Sequence, residues 1–392
     1  MGKDIKNIGV VTWFNSLNYG TCLQCYSLTA FLEKQGYYTY VPESFRYYYG
    51  FRHPLETVAR IAGKIKEMKN PPNEVSSFQA ENMKFQEAFE KRKFKNREFA
   101  YKYNHIFRIR NRADFKKMCE KADLFITGSD QIWNPDYVTP PYLLSFVKKG
   151  IPKLAYASSI GMAHIPEKKK YLYKKYLKDF SFIGVREQTA EKELMPLLGR
   201  NVVTVLDPSF LLTEQEWAEL TVNINLDIKK NEKYIFCYFI GTQTGWYQDV
   251  KKFAEKRKCK IYCALSESKL IPECGTLLPE IGVLEFIKYL QQAEYIVTDS
   301  FHATALAINL RKKFVVYKRF ADSLEQSQNS RIIDLLEMFD CKDRIKLDDK
   351  NGLEQLDDYI NYENILKKLK EKRKESQDLL LKAIQNDKNS MT

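Results

Sequence analysis

The chain has 392 residues, 44% of them hydrophobic, and a formal net charge of +13 from 63 Lys and Arg against 50 Asp and Glu. That length favours two domains over a single core. No apolar run of about 18 residues occurs and the apolar stretch near the N-terminus is short, which argues against a membrane-spanning helix or a signal peptide, so we expect a cytoplasmic location.

The cysteines agree with a reducing compartment and do not indicate a metal site. There are eight in the chain. Cys22 and Cys25 form a C-x-x-C pair, but no second pair with metal-ligand spacing follows. No D-x-D-like pair or Asp/Glu/His cluster occurs either. The sequence therefore predicts no metal and no bound cofactor.

The chain begins with the order strand, loop, helix, strand. Ile8–Trp13 is an apolar run typical of a buried strand, Thr21–Gln35 favours a helix, and Tyr37–Val41 predicts the next strand. The intervening loop contains Asn18-Tyr19-Gly20, at the position where parallel-sheet domains bind ligands. It does not match G-x-G-x-x-G, so dinucleotide binding is not indicated.

A charged segment at about 47–117 interrupts this pattern with amphipathic helices. Between Arg52 and Lys117, Lys and Arg outnumber Asp and Glu by 17 to 8. We interpret the segment as a helical insertion in the first domain, serving either as packing or as a lid. Its basic surface could contact nucleic acid, anionic lipid headgroups or a diphosphate-bearing substrate, and a solvated helical face is the simpler alternative.

Regular alternation of strands and helices resumes at Ala122, and polar residues follow each strand. In the first half, the strands are expected at Leu124–Thr127, Leu154–Ala157, Phe182–Val185 and Val202–Leu206. After Asp207 the pattern restarts, with strands expected at Tyr234–Ile240, Lys260–Ala264, Ala293–Val297 and Phe314–Val316. The carboxyl ends of parallel strands meet at one edge of a sheet, so each half should carry its polar loops on one side.

This pattern predicts an α/β protein with two Rossmann-like parallel-sheet domains facing a cleft. We expect the N-terminal domain at residues 1–206 and the C-terminal domain at 207–356. Residues 357–392 should contain a C-terminal amphipathic helix that packs back on the first domain.

His302 is one of four histidines and lies in the stretch Thr298–Ala307, between a strand and a helix. The N-terminus of a helix suits an anion, and an imidazole beside it suits proton transfer. The commoner alternative for a lone histidine is that Asp299 or Ser300 caps the helix and His302 is a buried structural residue.

Seven loop motifs occur in order along the chain. They are N-Y-G at 18–20, G-S-D-Q-I-W-N-P at 128–135, Y-A-S-S-I-G at 156–161, V-R-E at 185–187, L-D-P-S at 206–209, T-D-S-F-H-A at 298–303 and N-S-R-I at 329–332. Together they resemble the polysaccharide pyruvyl transferase family, over roughly Ile8 to Leu336. The second and third motifs are the most specific.

The resemblance implies a GT-B-like fold and an enzyme. Members of this family transfer a pyruvyl group from phosphoenolpyruvate to two hydroxyls of a sugar, which forms a cyclic ketal and releases phosphate. The implied acceptors are glycan precursors of bacterial capsules and exopolysaccharides, often lipid-linked. Phosphoenolpyruvate is then a co-substrate, nucleic acid is not an expected partner, and the basic insertion could contact the inner face of the membrane.

The resemblance also assigns roles to residues on the donor side. His302 takes the position of the catalytic histidine, and Arg186 is the first choice for binding an oxyanion of phosphoenolpyruvate, with a structural salt bridge as the alternative. Relatives have R-x-H where this chain has Ser300-Phe301-His302, so another cation must supply the charge. Lys318, Arg319 and Arg331 are candidates, and Arg331 is favoured. The expected donor-binding set is Arg186, Ser300, Arg331, Ser158 and Ser159.

Sugars are commonly held by an aromatic face together with carboxylate and amide groups. The expected acceptor contacts are Asn18, Tyr19, Gly20, Asp130, Gln131 and Trp133. For Trp133, core packing is an equal alternative. Two other functions stay open: a GT-B-type nucleotide-sugar glycosyltransferase, and a nucleic-acid or membrane-surface binding protein that uses the basic insertion.

Overall fold

A computed structural model describes residues 5–45, 77–266, 272–320, 329–346 and 352–390. Within these ranges the strands form two parallel sheets, one with seven strands and one with six. The predicted fold class, two Rossmann-like parallel-sheet domains in a GT-B-like arrangement, is confirmed.

The first sheet is built from short apolar segments whose central members are buried on both faces. Its strands are β1 (Asn7–Val11), β2 (Tyr38–Pro42), β3 (Ile106–Phe107), β4 (Leu124–Thr127), β5 (Lys153–Ser158), β6 (Phe182–Val185) and β7 (Val203–Thr204). Their spatial order is β3-β2-β1-β4-β5-β6-β7. The order reverses between β1 and β4, which pair in parallel.

The second sheet repeats this plan. Its strands are β8 (Tyr234–Tyr238), β9 (Lys260–Ala264), β10 (Thr276–Leu278), β11 (Tyr295–Thr298), β12 (Lys313–Tyr317) and β13 (Ile345–Lys346). Their spatial order is β10-β9-β8-β11-β12-β13, so the reversal falls between β8 and β11. In open parallel sheets, such reversals open a crevice at the carboxyl ends of the strands, where ligands bind.

Helices connect the strands and cover the sheets. In chain order they are α1 (Tyr19–Lys34), α2 (Ser77–Tyr103), α3 (Arg112–Lys121), α4 (Glu167–Leu177), α5 (Gln188–Leu198), α6 (Glu214–Leu220), α7 (Trp246–Arg257), α8 (Val283–Gln292), α9 (Phe301–Asn309), α10 (Ser330–Met338) and α11 (Tyr362–Ser390).

One hydrophobic core joins the two domains beside the cleft. Tyr19 at the start of α1 stacks on Phe286 of α8, with ring centroids 4.2 Å apart. The Tyr19 hydroxyl also donates to the carbonyl of Ile281 at 3.1 Å. Helix α2 reaches the second domain too, because Lys95 pairs with Glu285 at 2.6 Å. The first turn of α1 is therefore fixed against the second domain.

The C-terminal helix α11 contacts both cores. Its early residues Ile365 and Leu369 pack in the core of the second domain, and Leu380 and Ile384 pack under the first sheet. Between them, the hydroxyl of Ser376 accepts a hydrogen bond from the Leu206 amide at 3.0 Å. The helix thus extends from the second domain onto the first.

The expected insertion differs from the structure at its C-terminal end. Within residues 47–117 the structure places strand β3, which pairs with β2 at the sheet edge, and the start of α3. A strand of two residues has too short a pattern to be recognised in a sequence. Residues 46–76 include the amphipathic helix expected to serve as a lid or membrane contact, and they lie outside the described residues.

Candidate active site

The site lies where the two crevices face each other. The loop after β6 carries Arg186, and the loop after β11 leads into α9, which carries His302. The loop after β1 ends at Asn18, the N-cap of α1, whose side chain accepts a hydrogen bond from the Gly20 amide at 3.0 Å. These loops come from both domains, so the site forms only when the domains lie together.

His302 is the second residue of α9 and is 6% exposed. Ser300 caps this helix by accepting a hydrogen bond from the Ala303 amide at 3.4 Å. One edge of the imidazole lies against Gly20, where an added Cβ would lie 2.1 Å from Nδ1. On the other edge, Nε2 lies 3.6 Å from Oδ2 of Asp207. Residues on both sides therefore fix the ring.

Asp207 connects three parts of the site. Its Oδ2 accepts hydrogen bonds from the Ser129 hydroxyl at 3.0 Å and from Arg186 at 3.2 Å, and Oδ1 accepts from the Ser209 amide at 2.9 Å. Burial alone would raise the pKa of Asp207. The charges of His302 and Arg186 and the Ser209 amide outweigh burial and hold this pKa well below its usual range. Asp207 is therefore a buried carboxylate that lies against both the His302 ring and the Arg186 guanidinium.

Arg186 is buried, and not all of its N–H groups donate a hydrogen bond to the described residues. Its guanidinium lies 4.2 Å from the centroid of the Phe301 ring, and its Nε lies 3.7 Å from Oε2 of Glu187. Within the described part of the chain, Nε and one terminal nitrogen of Arg186 have no hydrogen-bond partner. The salt bridge foreseen as an alternative exists with Asp207. Its unpaired N–H groups can still bind an oxyanion, so donor binding by Arg186 stays a prediction.

Arg331 lies near Arg186 and also near a third arginine, Arg319. Arg319 donates to the carbonyl of Asp299 at 2.9 Å and pairs with its carboxylate at 3.3 Å. Burial, and then the positive charges of Arg186 and Arg319, lower the pKa of Arg331 to about 9. Arginine keeps its proton at neutral pH, so three positive charges are held close together. An anion bound among them would relieve the repulsion.

The predicted serines and Lys318 have other surroundings. Ser300 caps α9, as described above. The hydroxyl of Ser158 donates to the Thr127 carbonyl at 3.1 Å, and that of Ser159 donates to Oε1 of Glu187 at 2.8 Å. Lys318 lies beside a separate small cavity in the second domain. These contacts position loops, and donor binding by the serines stays a prediction.

A cleft of about 310 Å³ lies between the domains, at the small end of the range for small-molecule sites. Three of the predicted acceptor residues line it: Asn18, Asp130 and Gln131. His302 is not among the described lining residues. It touches Gly20, however, and the next residue, Thr21, lines the cleft and donates to Asp130 at 2.8 Å. His302 therefore lies directly behind the cleft wall.

The other three predicted acceptor residues do not face this cleft. Tyr19 is fully buried at the domain junction, and Gly20 lies against His302. Trp133 is 0% exposed, and its indole N–H donates to the Tyr142 carbonyl at 2.9 Å. The expectation that Trp133 contacts a sugar is wrong, because the ring fills the core of the first domain.

Sequence reasoning did not select several residues that the structure places at the site. Asp207 was noticed only as part of the L-D-P-S motif, and its partners lie far apart in sequence. Trp13 and Tyr137 line the cleft although each looked like an ordinary apolar residue. A signal for Trp13 was available, because it stands directly after the first strand, at the edge where parallel sheets bind ligands.

Comparison with known proteins places this two-domain α/β protein among transferases. The sequence model of the polysaccharide pyruvyl transferase family matches residues 18–319. The chain belongs to that family. Among curated proteins none matches it.

Several solved structures are similar to the chain at low sequence identity. The chain is similar to UDP-GlcNAc 2-epimerase from Neisseria meningitidis bound to UDP-GlcNAc, with 10% identity, a TM-score of 0.46 and coverage of 96% of this chain and 100% of that one. It is also similar to MurG from Acinetobacter baumannii, with 9% identity and a TM-score of 0.44. That match covers 97% of this chain and 99% of the MurG chain. A third similar structure is the glycosyltransferase SnogD from Streptomyces nogalater, with 12% identity and a TM-score of 0.45. The match covers 97% of this chain and 100% of that one.

Two features are absent from the described residues. None of their helices is long and apolar enough to cross a membrane. No group of three or more His, Cys, Asp or Glu side chains among them is arranged to bind a metal ion.

Proposed function

We propose that this protein transfers a pyruvyl group from phosphoenolpyruvate to two hydroxyls of a glycan, forming a cyclic ketal and releasing phosphate. Membership of the polysaccharide pyruvyl transferase family supports a pyruvylated polysaccharide product. The observation that carries the proposal is the buried guanidinium of Arg186, which shares Asp207 with His302 and lies near Arg331, because phosphoenolpyruvate has both a carboxylate and a phosphate to bind.

The donor is bound, in this proposal, by Arg186, Arg319 and Arg331. The N–H groups of Arg186 that have no hydrogen-bond partner among the described residues bind one oxyanion of phosphoenolpyruvate. The positive charges of Arg186 and Arg319 repel that of Arg331, which favours binding of the second oxyanion there. Arg319 lies against Asp299, directly before Ser300 in the chain. In this proposal the loop after β12 and helix α10 supply the positive charge to a helix N-terminus that lacks the arginine of its relatives.

His302 acts as the general acid and base. The imidazolium protonates the methylene carbon of phosphoenolpyruvate, which makes C2 electrophilic. A first sugar hydroxyl attacks C2 and gives its proton to the imidazole. The bond from C2 to the phosphate oxygen then breaks, the second hydroxyl attacks C2, and its proton leaves with the phosphate. Asp207 holds the ring and stabilises its charged form.

The remaining expectations belong to the same proposal. The reaction needs no cofactor beyond phosphoenolpyruvate as co-substrate, and it takes place in the cytoplasm, where that donor is made. A lipid-linked acceptor would bring the protein to the inner face of the membrane.

Donor specificity is tested by isothermal calorimetry and thermal shift with phosphoenolpyruvate and, separately, with UDP-sugars. We expect binding of phosphoenolpyruvate. Binding of UDP-sugars alone would overturn the proposal in favour of a nucleotide-sugar glycosyltransferase. A salt-sensitive affinity for nucleic acid without any binding of phosphoenolpyruvate would indicate the third function.

The role of His302 is tested by His302→Ala and by His302→Gln, which keeps more of the side-chain volume. Both should bind phosphoenolpyruvate and lose phosphate release with a sugar acceptor. His164→Ala is a matched control, because the His164 side chain is 85% exposed and pairs with Glu193. Turnover by the His302 variants equal to that of the control would remove His302 from the mechanism.

A further inference from the structure

We infer that Trp13 and Tyr137 form a stacking platform for the pyranose ring of the acceptor. This role in the reaction rests on the proposed function. The two rings are neighbours at the cleft, with centroids 5.5 Å apart and planes tilted by 36° to each other. Nothing in the family resemblance draws attention to either residue.

Trp13 differs in exposure from the other tryptophans. The chain has four, and Trp133, Trp217 and Trp246 are buried, with at most 3% exposure. Trp13 is partly exposed where it lines the cleft. A large apolar ring at a polar cleft costs hydration free energy unless a ligand covers it, so its position indicates a binding surface.

The platform is held in place before any ligand binds. The Trp13 carbonyl accepts a hydrogen bond from Gln24 at 2.7 Å, and the Trp13 ring meets Tyr142 edge-on at 6.1 Å. The Tyr137 hydroxyl donates to Oε1 of Gln131. Such fixed aromatic surfaces lose little conformational entropy on binding.

Polar groups line the same cleft as the platform. Asp130 lines the same cleft, and its carboxylate accepts from the Thr21 hydroxyl and the Gln131 amide at 2.8 Å each. Because an ionised carboxylate offers about four acceptor sites, Asp130 can accept a sugar hydroxyl as well. The backbone of Asp130 has a φ of 68°, which is uncommon for a residue other than glycine. Arg319 lines the cleft from the second domain.

A pyranose fits this combination. One face of the ring is made of C–H groups and packs on an aromatic surface, while the hydroxyls around its edge meet carboxylate and amide groups. Arg319, opposite, belongs to the group of arginines proposed to bind the donor. The sugar hydroxyls would then lie between the platform and the donor, as ketal formation requires. A nucleobase is the competing flat ligand, so the test includes uridine.

Tryptophan fluorescence tests the platform directly, because Trp13 is the partly exposed member of the four. Methyl β-glucopyranoside and methyl β-galactopyranoside should change the emission of the parent protein, and Trp13→Phe should lose that change. No Trp13-dependent change with either glycoside overturns the inference. A change caused by uridine and by neither glycoside overturns it as well.

Steady-state kinetics separate the acceptor from the donor. Tyr137→Leu should raise the KM for the acceptor about tenfold and leave the affinity for phosphoenolpyruvate unaltered. Tyr137→Phe keeps the ring and should restore most of the acceptor affinity. Tyr171→Leu, which removes a 66% exposed tyrosine from α4, is the matched control. If Tyr137→Leu weakens the affinity for phosphoenolpyruvate as much as it raises the KM for the acceptor, the inference is overturned.

The two proposals fail in different ways. If the parent protein does not bind phosphoenolpyruvate, the proposed function fails, and the fluorescence experiment still tests the sugar platform. If phosphoenolpyruvate binds and the glycosides give no Trp13-dependent signal, the platform alone is wrong.

Discussion

Gly20 and His302 lie in contact across the domain boundary, and a Cβ at Gly20 would fall 2.1 Å from Nδ1 and 2.4 Å from Cγ of the imidazole. Gly20 belongs to the first turn of α1, and His302 to the first turn of α9. The observed position of the ring therefore depends on the absence of a side chain at Gly20 in the other domain.

Gly20→Ala should displace the imidazole from Asp207. We expect a cost in stability of about 1–3 kcal/mol from overpacking and a loss of turnover of about a hundredfold, because small misplacements of catalytic groups are expensive. Phosphate-release assays and thermal unfolding measure both. Gly245→Ala is the control, since a Cβ there meets no atom within 4 Å. Equal activity of the two variants would contradict the packing argument.

Asp207→Asn keeps the shape of the side chain and removes its charge. Arg186 and His302 would then lose the buried carboxylate that they share, and only Glu187 would remain beside Arg186, so we expect a loss of about 3–5 kcal/mol in the free energy of unfolding and a strong loss of turnover. Urea unfolding and the phosphate assay are the measurements. Asp179→Asn, at an exposed position after α4, should change neither. Wild-type turnover in Asp207→Asn would exclude the carboxylate from positioning His302.

The pH dependence of stability follows from the same carboxylate. The pKa of Asp207 is lower in the folded than in the unfolded protein, so below about pH 4 the unfolded state binds more protons. The stabilisation is present above the unfolded pKa and is lost as pH falls towards the folded pKa. Urea unfolding between about pH 5 and pH 2 should show a shallower acid slope for Asp207→Asn than for the parent. Parallel slopes would count against a paired Asp207.

Arg331→Met removes one of three crowded positive charges. The unliganded protein should keep or gain thermal stability, because a buried charge with a pKa lowered to about 9 is costly. The affinity for phosphoenolpyruvate should fall about tenfold or more. Calorimetry and thermal shift separate the two effects. Arg311→Met, at a 52% exposed arginine paired with Glu214, is the control, and an unaltered donor affinity in Arg331→Met would assign the anion site elsewhere.

Helix α10 also contacts the first domain. Oδ2 of Asp334 accepts hydrogen bonds from the amide and the hydroxyl of Thr189, at 3.1 and 2.7 Å, and so caps α5 from the other domain. Arg331 lies one turn away on α10. Asp334→Ala should cost about 1 kcal/mol and also weaken phosphoenolpyruvate binding, because the helix that carries Arg331 loses its anchor.

The matched control for that prediction is Asn111→Ala. Asn111 caps α3 by accepting from the Asp114 amide at 2.9 Å, away from the cleft. Asn111→Ala should lower the free energy of unfolding by a similar amount and leave the affinity for phosphoenolpyruvate unchanged. Asp334→Asn should recover part of the stability and affinity that Asp334→Ala loses. If both alanine variants bind phosphoenolpyruvate equally well, α10 does not couple the domain contact to the donor site.

The sequence by itself determined the α/β class, the two sheets and most of their strands. Alternating apolar runs and helical segments are local signals, and β4 begins and ends at the predicted residues, Leu124 and Thr127. The motif order also led to the family, and with it to His302 as the residue to examine. Strands β3, β10 and β13 were missed because two or three residues at a sheet edge carry too little pattern.

Only the tertiary structure decided which motif residues face a ligand. Trp13 and Trp133 both follow strands, yet one lines the cleft and the other fills the core, because burial depends on what the neighbouring helices cover. The partners of Asp207 come from residues 129, 186 and 302, which no local pattern connects. A sequence sets the chemistry available at each loop, whereas the distances and the electrostatic environment arise only when the two domains fold against each other.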